Sequence, residues 1–84
     1  MATQPLSAAT AAFGERIRAQ RHALNLSQER LAERAGLHWS FVGQVERGQR
    51  NVSLHNILKL AAGLGTDPAS LIQGLQPPDA QSSR

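Results

Sequence analysis

The stretch "LSQERLAERAG", Leu26 to Gly36, carries both a start and a stop signal for one compact helix. Ser27 supplies a side-chain oxygen to the orphan N–H groups of the first turn, and Leu26 and Leu31 are spaced as a hydrophobic staple. Glu29 favours the positive end of the helix, and Gly36 offers a left-handed stop with Leu37 folding back. After the short turn Gly36, Leu37, His38, a second brief helix is expected from about Trp39 to Arg47, halted at Gly48. His38 stands at its N-cap, where histidine is a weak capper. Helices this closely punctuated leave little choice of partner. In a chain of 84 residues they belong to one domain, whose core is marginal unless the helices pack efficiently or a partner covers part of it.

The flanking elements are also read from caps and periodicity. Thr10 is expected to cap a first helix over about 11 to 24, in which Phe13, Ile17 and Leu24 recur at helical spacing and Asn25 provides a left-handed stop. Beyond the polar loop "GQRN", Ser53 caps a fourth helix carrying Leu54, Ile57, Leu58 and Ala61, ending near 63 to 65. Asp67 then caps a fifth, with Pro68 at the first helical position, where proline is favoured. No strand or internal repeat is evident. The expected organisation is a flexible segment over 1–9, a folded domain over 10–75 and a disordered tail over 76–84, "QPPDAQSSR".

Composition excludes several classes of function. The chain has no cysteine, which removes disulfides, thiolate metal sites and cysteine nucleophiles. The three histidines, His22, His38 and His55, lack metal-ligand spacing, so no metal or cofactor is expected. No nucleophile is paired with a base and no glycine-rich phosphate loop is present, which argues against an enzyme. "MATQPLSAATAAF" lacks the basic start of a secretion signal, and no apolar run approaches the roughly 20 residues needed to cross a bilayer. A cytoplasmic protein is expected. The formal charge is +3, and all of the excess lies between Phe13 and Arg50: Arg16, Arg18, Arg21, Arg30, Arg34, Arg47 and Arg50 against Glu15, Glu29, Glu33 and Glu46. That concentration suits a nucleic-acid face, although a solvated arginine-rich surface is the competing reading.

Two short helices joined by a tight glycine turn form a helix-turn-helix pattern. At 100° per residue Phe41, Val42 and Val45 face the core. The opposite side presents Trp39, Ser40, Gly43, Gln44 and Arg47, so the chain's single tryptophan is expected to project outward. Ser40 and Gly43 keep that side low, and Gln44 offers the paired donor and acceptor that read adenine in the major groove. Gln28 lies where a helix N-terminus attracts phosphate. His38, Arg47, Arg50 and Asn51 complete the expected phosphate contacts. Alternatives stay open for two of these: Trp39 as a cover folded back over the turn, and Gln44 as a merely solvated side chain.

The run "LSQERLAERAGLHWSFVGQVERGQRNVSLHNILKLAAGLGTDPASL" strongly resembles the lambda-repressor-like, Cro-type helix-turn-helix domain, also called XRE, across nearly the whole expected domain. "AGLH" with "VERGQRNVSL" looks most like the small stand-alone regulators that include restriction-modification controller proteins. The resemblance implies an all-α, five-helix bundle with the helix-turn-helix in helices two and three. It implies that Gln28 touches phosphate, that Trp39, Ser40 and Gln44 take base-reading positions, and that Arg21 pairs with Glu46. It further implies that Glu29 and Glu33, on the outer face of helix two, touch RNA polymerase if the chain activates transcription. Trp39 departs from the family pattern, in which polar or basic side chains are commoner.

The expected function is therefore sequence-specific binding of double-stranded DNA by a transcriptional regulator acting as a homodimer on a palindromic operator. Dimerisation follows from apolar excess: Leu60, Leu64, Leu71, Ile72 and Leu75 are more than one small core needs. The alternative is an antitoxin or a protein-interaction adaptor built on the same bundle.

Overall fold

A computed structural model describes residues 4–78. Five helices follow in order: α1 (Ala8–Ala23), α2 (Gln28–Ala35), α3 (Trp39–Glu46), α4 (Leu54–Leu64) and α5 (Ala69–Ile72). There is no strand among the described residues. Helix α2 packs on α3 and α4, while α1 lies across α3, α4 and α5.

The caps do the local work. Ser27 Oγ accepts from Arg30 N at 3.0 Å, and Ser53 Oγ from Asn56 N at 3.2 Å. Asn25 has φ 57°, the left-handed stop expected after α1. His38 caps α3 through its ring, Nδ1 accepting from Ser40 N at 3.1 Å. Asp67 Oδ1 accepts from Ala69 N at 2.9 Å beside a helical Pro68.

Helix α1 starts earlier than Thr10. Ser7 is the N-cap, with a reciprocal capping box: Thr10 N donates to Ser7 Oγ and Ser7 N to Thr10 Oγ1, each at 3.0 Å. Thr10 Oγ1 also donates to Gly48 O at 2.8 Å, and Leu6 N reaches the same carbonyl at 2.9 Å. The segment expected to be flexible is thus tied down from Leu6 onward, and Ala8 and Ala9 are helical. Gly48 is required at that junction twice over, since its φ is +75° and a Cβ there would lie 2.9 Å from Ala11 Cα. Residues 76–78 have no regular structure, and the rest of the expected disordered tail lies outside the described residues.

The core draws on every helix: Phe13 and Ile17, then Leu31, Ala32 and Ala35, then Val42 and Val45, then Leu60, Ala61 and Leu64, and finally Leu71. Each large side chain fully buried here contributes roughly 1.5 to 3 kcal/mol. Leu60, Leu64 and Leu71, expected at a dimer contact, are core residues exposed by 4% or less. The reason is geometric. Helix α4 packs on α2 and α1, and α5 on α1, so their inward leucines complete the core. Two glycines permit the close packing: a Cβ on Gly14 would sit 2.3 Å from Val45 O, and one on Gly63 would sit 3.1 Å from Ala35 Cβ. Arg16 fastens the last element, Nη1 donating to Leu71 O at 3.2 Å and to Gln73 O at 2.7 Å.

Candidate nucleic-acid interface

Helix α3 is locked on one side and open on the other. Val42 and Val45 are buried, and Glu46 at the C-terminal end is held by α1. Arg21 Nε donates to Glu46 Oε2 at 2.6 Å and Nη2 to Oε1 at 2.9 Å, a bidentate pair whose side chains are 10% and 0% exposed. Arg21 Nη1 also donates to Leu26 O at 2.9 Å, linking the pair to the loop before α2. Burial alone pushes the Glu46 carboxyl up; the bonds from Arg21, Gln28 and Arg18, with the charge of Arg21, outweigh it and hold the group below its ordinary value. The bond to Glu46 raises Arg21, which stays charged. Arg18, absent from the expected site, joins this cluster at 3.4 Å. Its signal was its place three residues before Arg21, on the same side of α1.

On the open side the tryptophan points outward, 53% exposed. One face of its ring rests on His38, centroids 5.8 Å apart, and the same imidazole meets Ser40 Oγ at 2.7 Å. Cap, ring and hydroxyl thus form one cluster at the start of α3. Ser40 is exposed and Gln44 half-buried beyond it.

Two expected positions sit differently. Gly43 is buried, because Gln28 lies across it: a Cβ there would be 3.5 Å from Gln28 Oε1 and 3.3 Å from Arg47 Nη1. The Gln28 amide donates to Glu46 Oε1 at 3.0 Å, so it bridges the N-terminus of α2 to α3. Gly43 therefore makes room for a neighbour from α2 and does not form part of an open reading surface.

The arginines divide by partner. Arg18, Arg21 and Arg30 face carboxylates, Arg30 pairing with Glu33 at 2.5 Å on the outer side of α2. Arg47 Nε donates to Gln49 Oε1 at 3.3 Å, and Arg50 Nη1 to Gln44 Oε1 at 2.9 Å. Those partners are neutral, so among the described residues neither guanidinium is paired with a carboxylate beside the open side of α3. Asn51 is exposed in the following loop. The described residues hold no group of three His, Asp or Glu side chains arranged for a metal, and no helix among them is long and apolar enough to cross a membrane.

Comparison with known proteins agrees with this geometry. A family model described as a helix-turn-helix domain matches residues 12–71. The control protein C.SmaI of Serratia marcescens is 47% identical over 66 residues, covering 76% of this chain and 79% of that protein. The crystal structure of the restriction-modification controller protein C.AhdI from Aeromonas hydrophila superposes with a TM-score of 0.73 at 58% identity, over 74% of this chain and 94% of that one. The P22 c2 repressor, solved in complex with a synthetic operator, gives a TM-score of 0.69 at 34% identity, over 74% and 94% of the two chains. With its capped α2, glycine turn and half-exposed α3, this chain belongs to the lambda-repressor-like helix-turn-helix family of transcription regulators, alongside the restriction-modification control proteins.

Proposed function

We propose that the chain is a transcriptional controller that binds a palindromic operator in double-stranded DNA as a homodimer. The observation that carries the reading is the two-sidedness of α3. Its inner side is fixed by the core and by the Arg21–Glu46 pair, while Trp39, Ser40 and Gln44 stand on the side left open. A helix held this rigidly presents those side chains to base edges with little further ordering cost. Phosphates are assigned to Gln28, His38, Arg47 and Asn51, with Gln28 exchanging its bond to Glu46 for the backbone of the duplex. Trp39 packs on a thymine methyl or on sugar edges. No residue is assigned a catalytic role, and the protein is assigned to the compartment that holds the DNA.

Of the five residues expected there, the dimer contact is narrowed to Ile72 and Leu75, the two that the core does not fully bury. Ile72 on α5 is 45% exposed, and Leu75 is half-buried beside it. A two-fold axis there sets two copies of α3 about one helical turn apart. Glu29 and Glu33 face solvent on α2 and are assigned to contact with RNA polymerase.

Selection of bound duplexes from a random pool tests the reading. The expected product is a two-fold palindrome with half-sites roughly 10 base pairs apart, centre to centre. A pool that emerges without common sequence overturns it.

A further inference from the structure

We infer that Arg50 sets the base preference of Gln44, turning the pair toward guanine and away from adenine. The inference rests on the reading of α3 as the base-contacting helix. A glutamine free to rotate offers Oε1 and Nε2 together, the pattern that matches N6 and N7 of adenine. Gln44 is not free in that sense. Its Oε1 accepts from Arg50 Nη1 at 2.9 Å. The guanidinium itself is placed by a second contact, its Cζ lying 4.9 Å from the centroid of the Phe41 ring. Phe41 packs against the core, so this platform is part of the folded domain.

The consequence is a surface of donors. A hydrogen bond from a cation is roughly twice as strong as one between neutral groups. Flipping the amide would set its NH2 against the N–H groups of Arg50, donor against donor. The bonded arrangement fixes Oε1 toward Arg50 and leaves Nε2, with two protons, pointing away. Arginine has five N–H donors and no acceptor, so the rest of the guanidinium also offers only donors. Guanine presents two acceptors in the major groove, N7 and O6, whereas adenine presents N7 beside the N6 donor. Adenine N6 would meet a donor here.

The same selection, run on the intact chain and on Arg50→Met, Arg50→Lys and Gln44→Ala, tests this. The unaltered protein is expected to enrich guanine at one base pair in each half-site, and Gln44→Ala to lose that preference alone. Arg50→Met frees Oε1. It should shift the ratio of adenine to guanine affinity at that pair by roughly tenfold, within the range that one bidentate contact discriminates, with other positions unchanged. Arg50→Lys keeps the charge but not the planar fork, and should shift the ratio in the same direction while retaining the salt dependence of the unaltered protein. Loss of affinity for all sequences in Arg50→Met, with the ratio unmoved in both variants and most of the affinity kept in Arg50→Lys, would make Arg50 a phosphate contact and overturn the inference. Enrichment of adenine by the unaltered protein overturns it too. A pool without any preferred sequence is a different failure: it removes the base-reading role of α3, and this inference with it.

Discussion

Arg21→Met isolates what holds α3 in place. The substitution removes two charge-assisted bonds to Glu46, at 2.6 and 2.9 Å, and the bond to Leu26 O at 2.9 Å. It leaves a carboxylate with no exposed side-chain surface facing Gln28 at 3.0 Å and Arg18 at 3.4 Å. Breaking a buried pair from one side costs about 3 to 5 kcal/mol. The remaining partners put this case at the lower end, about 3 kcal/mol. A chain of 84 residues has roughly 4 to 13 kcal/mol in total, so the melting temperature should fall by roughly 12 to 24 °C. Urea denaturation should show a lower midpoint with unchanged slope. Adding Glu46→Leu removes the stranded charge and should recover most of the loss. The pH dependence has a definite sign. Glu46 is held below its ordinary value of 4.5, so its contribution is present above that pH and lost as pH falls through the lower folded value. In Arg21→Met burial prevails and the folded value rises, so the gap between the two proteins narrows on acidification. A cost under about 1 kcal/mol, the range of an exposed pair, would mean that the Arg21–Glu46 pair does not hold α3 in place.

Four further outcomes are expected. Trp39→Ala should weaken operator binding by about 1 to 3 kcal/mol, and cost no more than about half of the 3 to 5 kcal/mol that truncating a core aromatic costs; titration and thermal melting separate the two. Ile72→Glu should give a folded monomer in sedimentation with much weaker operator binding, because the linked second half-site is lost. Gly14→Ala places a methyl 2.3 Å from Val45 O and should destabilise by about 1 to 3 kcal/mol in a urea melt, despite the better helix propensity of alanine. Glu29→Gln with Glu33→Gln should abolish activation from a controlled promoter in a transcription assay while leaving operator affinity intact.

Chemistry that acts within a few residues was legible in the sequence. Ser27, Ser53 and Asn25 act through their own turn, so their roles follow from residue type and position. The outward direction of Trp39 follows from helical geometry with Val42 and Val45 fixed inside. The start of α1 was not legible in the same way. Ser7 and Thr10 are both good caps, and the choice is reinforced by Gly48 O, 38 residues beyond Thr10. A count of apolar residues in α4 and α5 cannot say which of their leucines close the core. Helical geometry sets Gly43 on the side of α3 away from Val42 and Val45, but its covering by Gln28 depends on how α2 crosses α3. The contact of Arg50 with Gln44 and Phe41 likewise depends on the path of the loop after α3.

Titrating the protein against a selected duplex and a scrambled one at increasing salt tests whether the open side of α3 reads double-stranded DNA. Both affinities should fall steeply as phosphate contacts release counterions, and the selected duplex should remain tighter by roughly a thousandfold or more. Weak binding that treats the two duplexes alike at every salt concentration would rule out base reading by α3 and leave the bundle a protein-binding module.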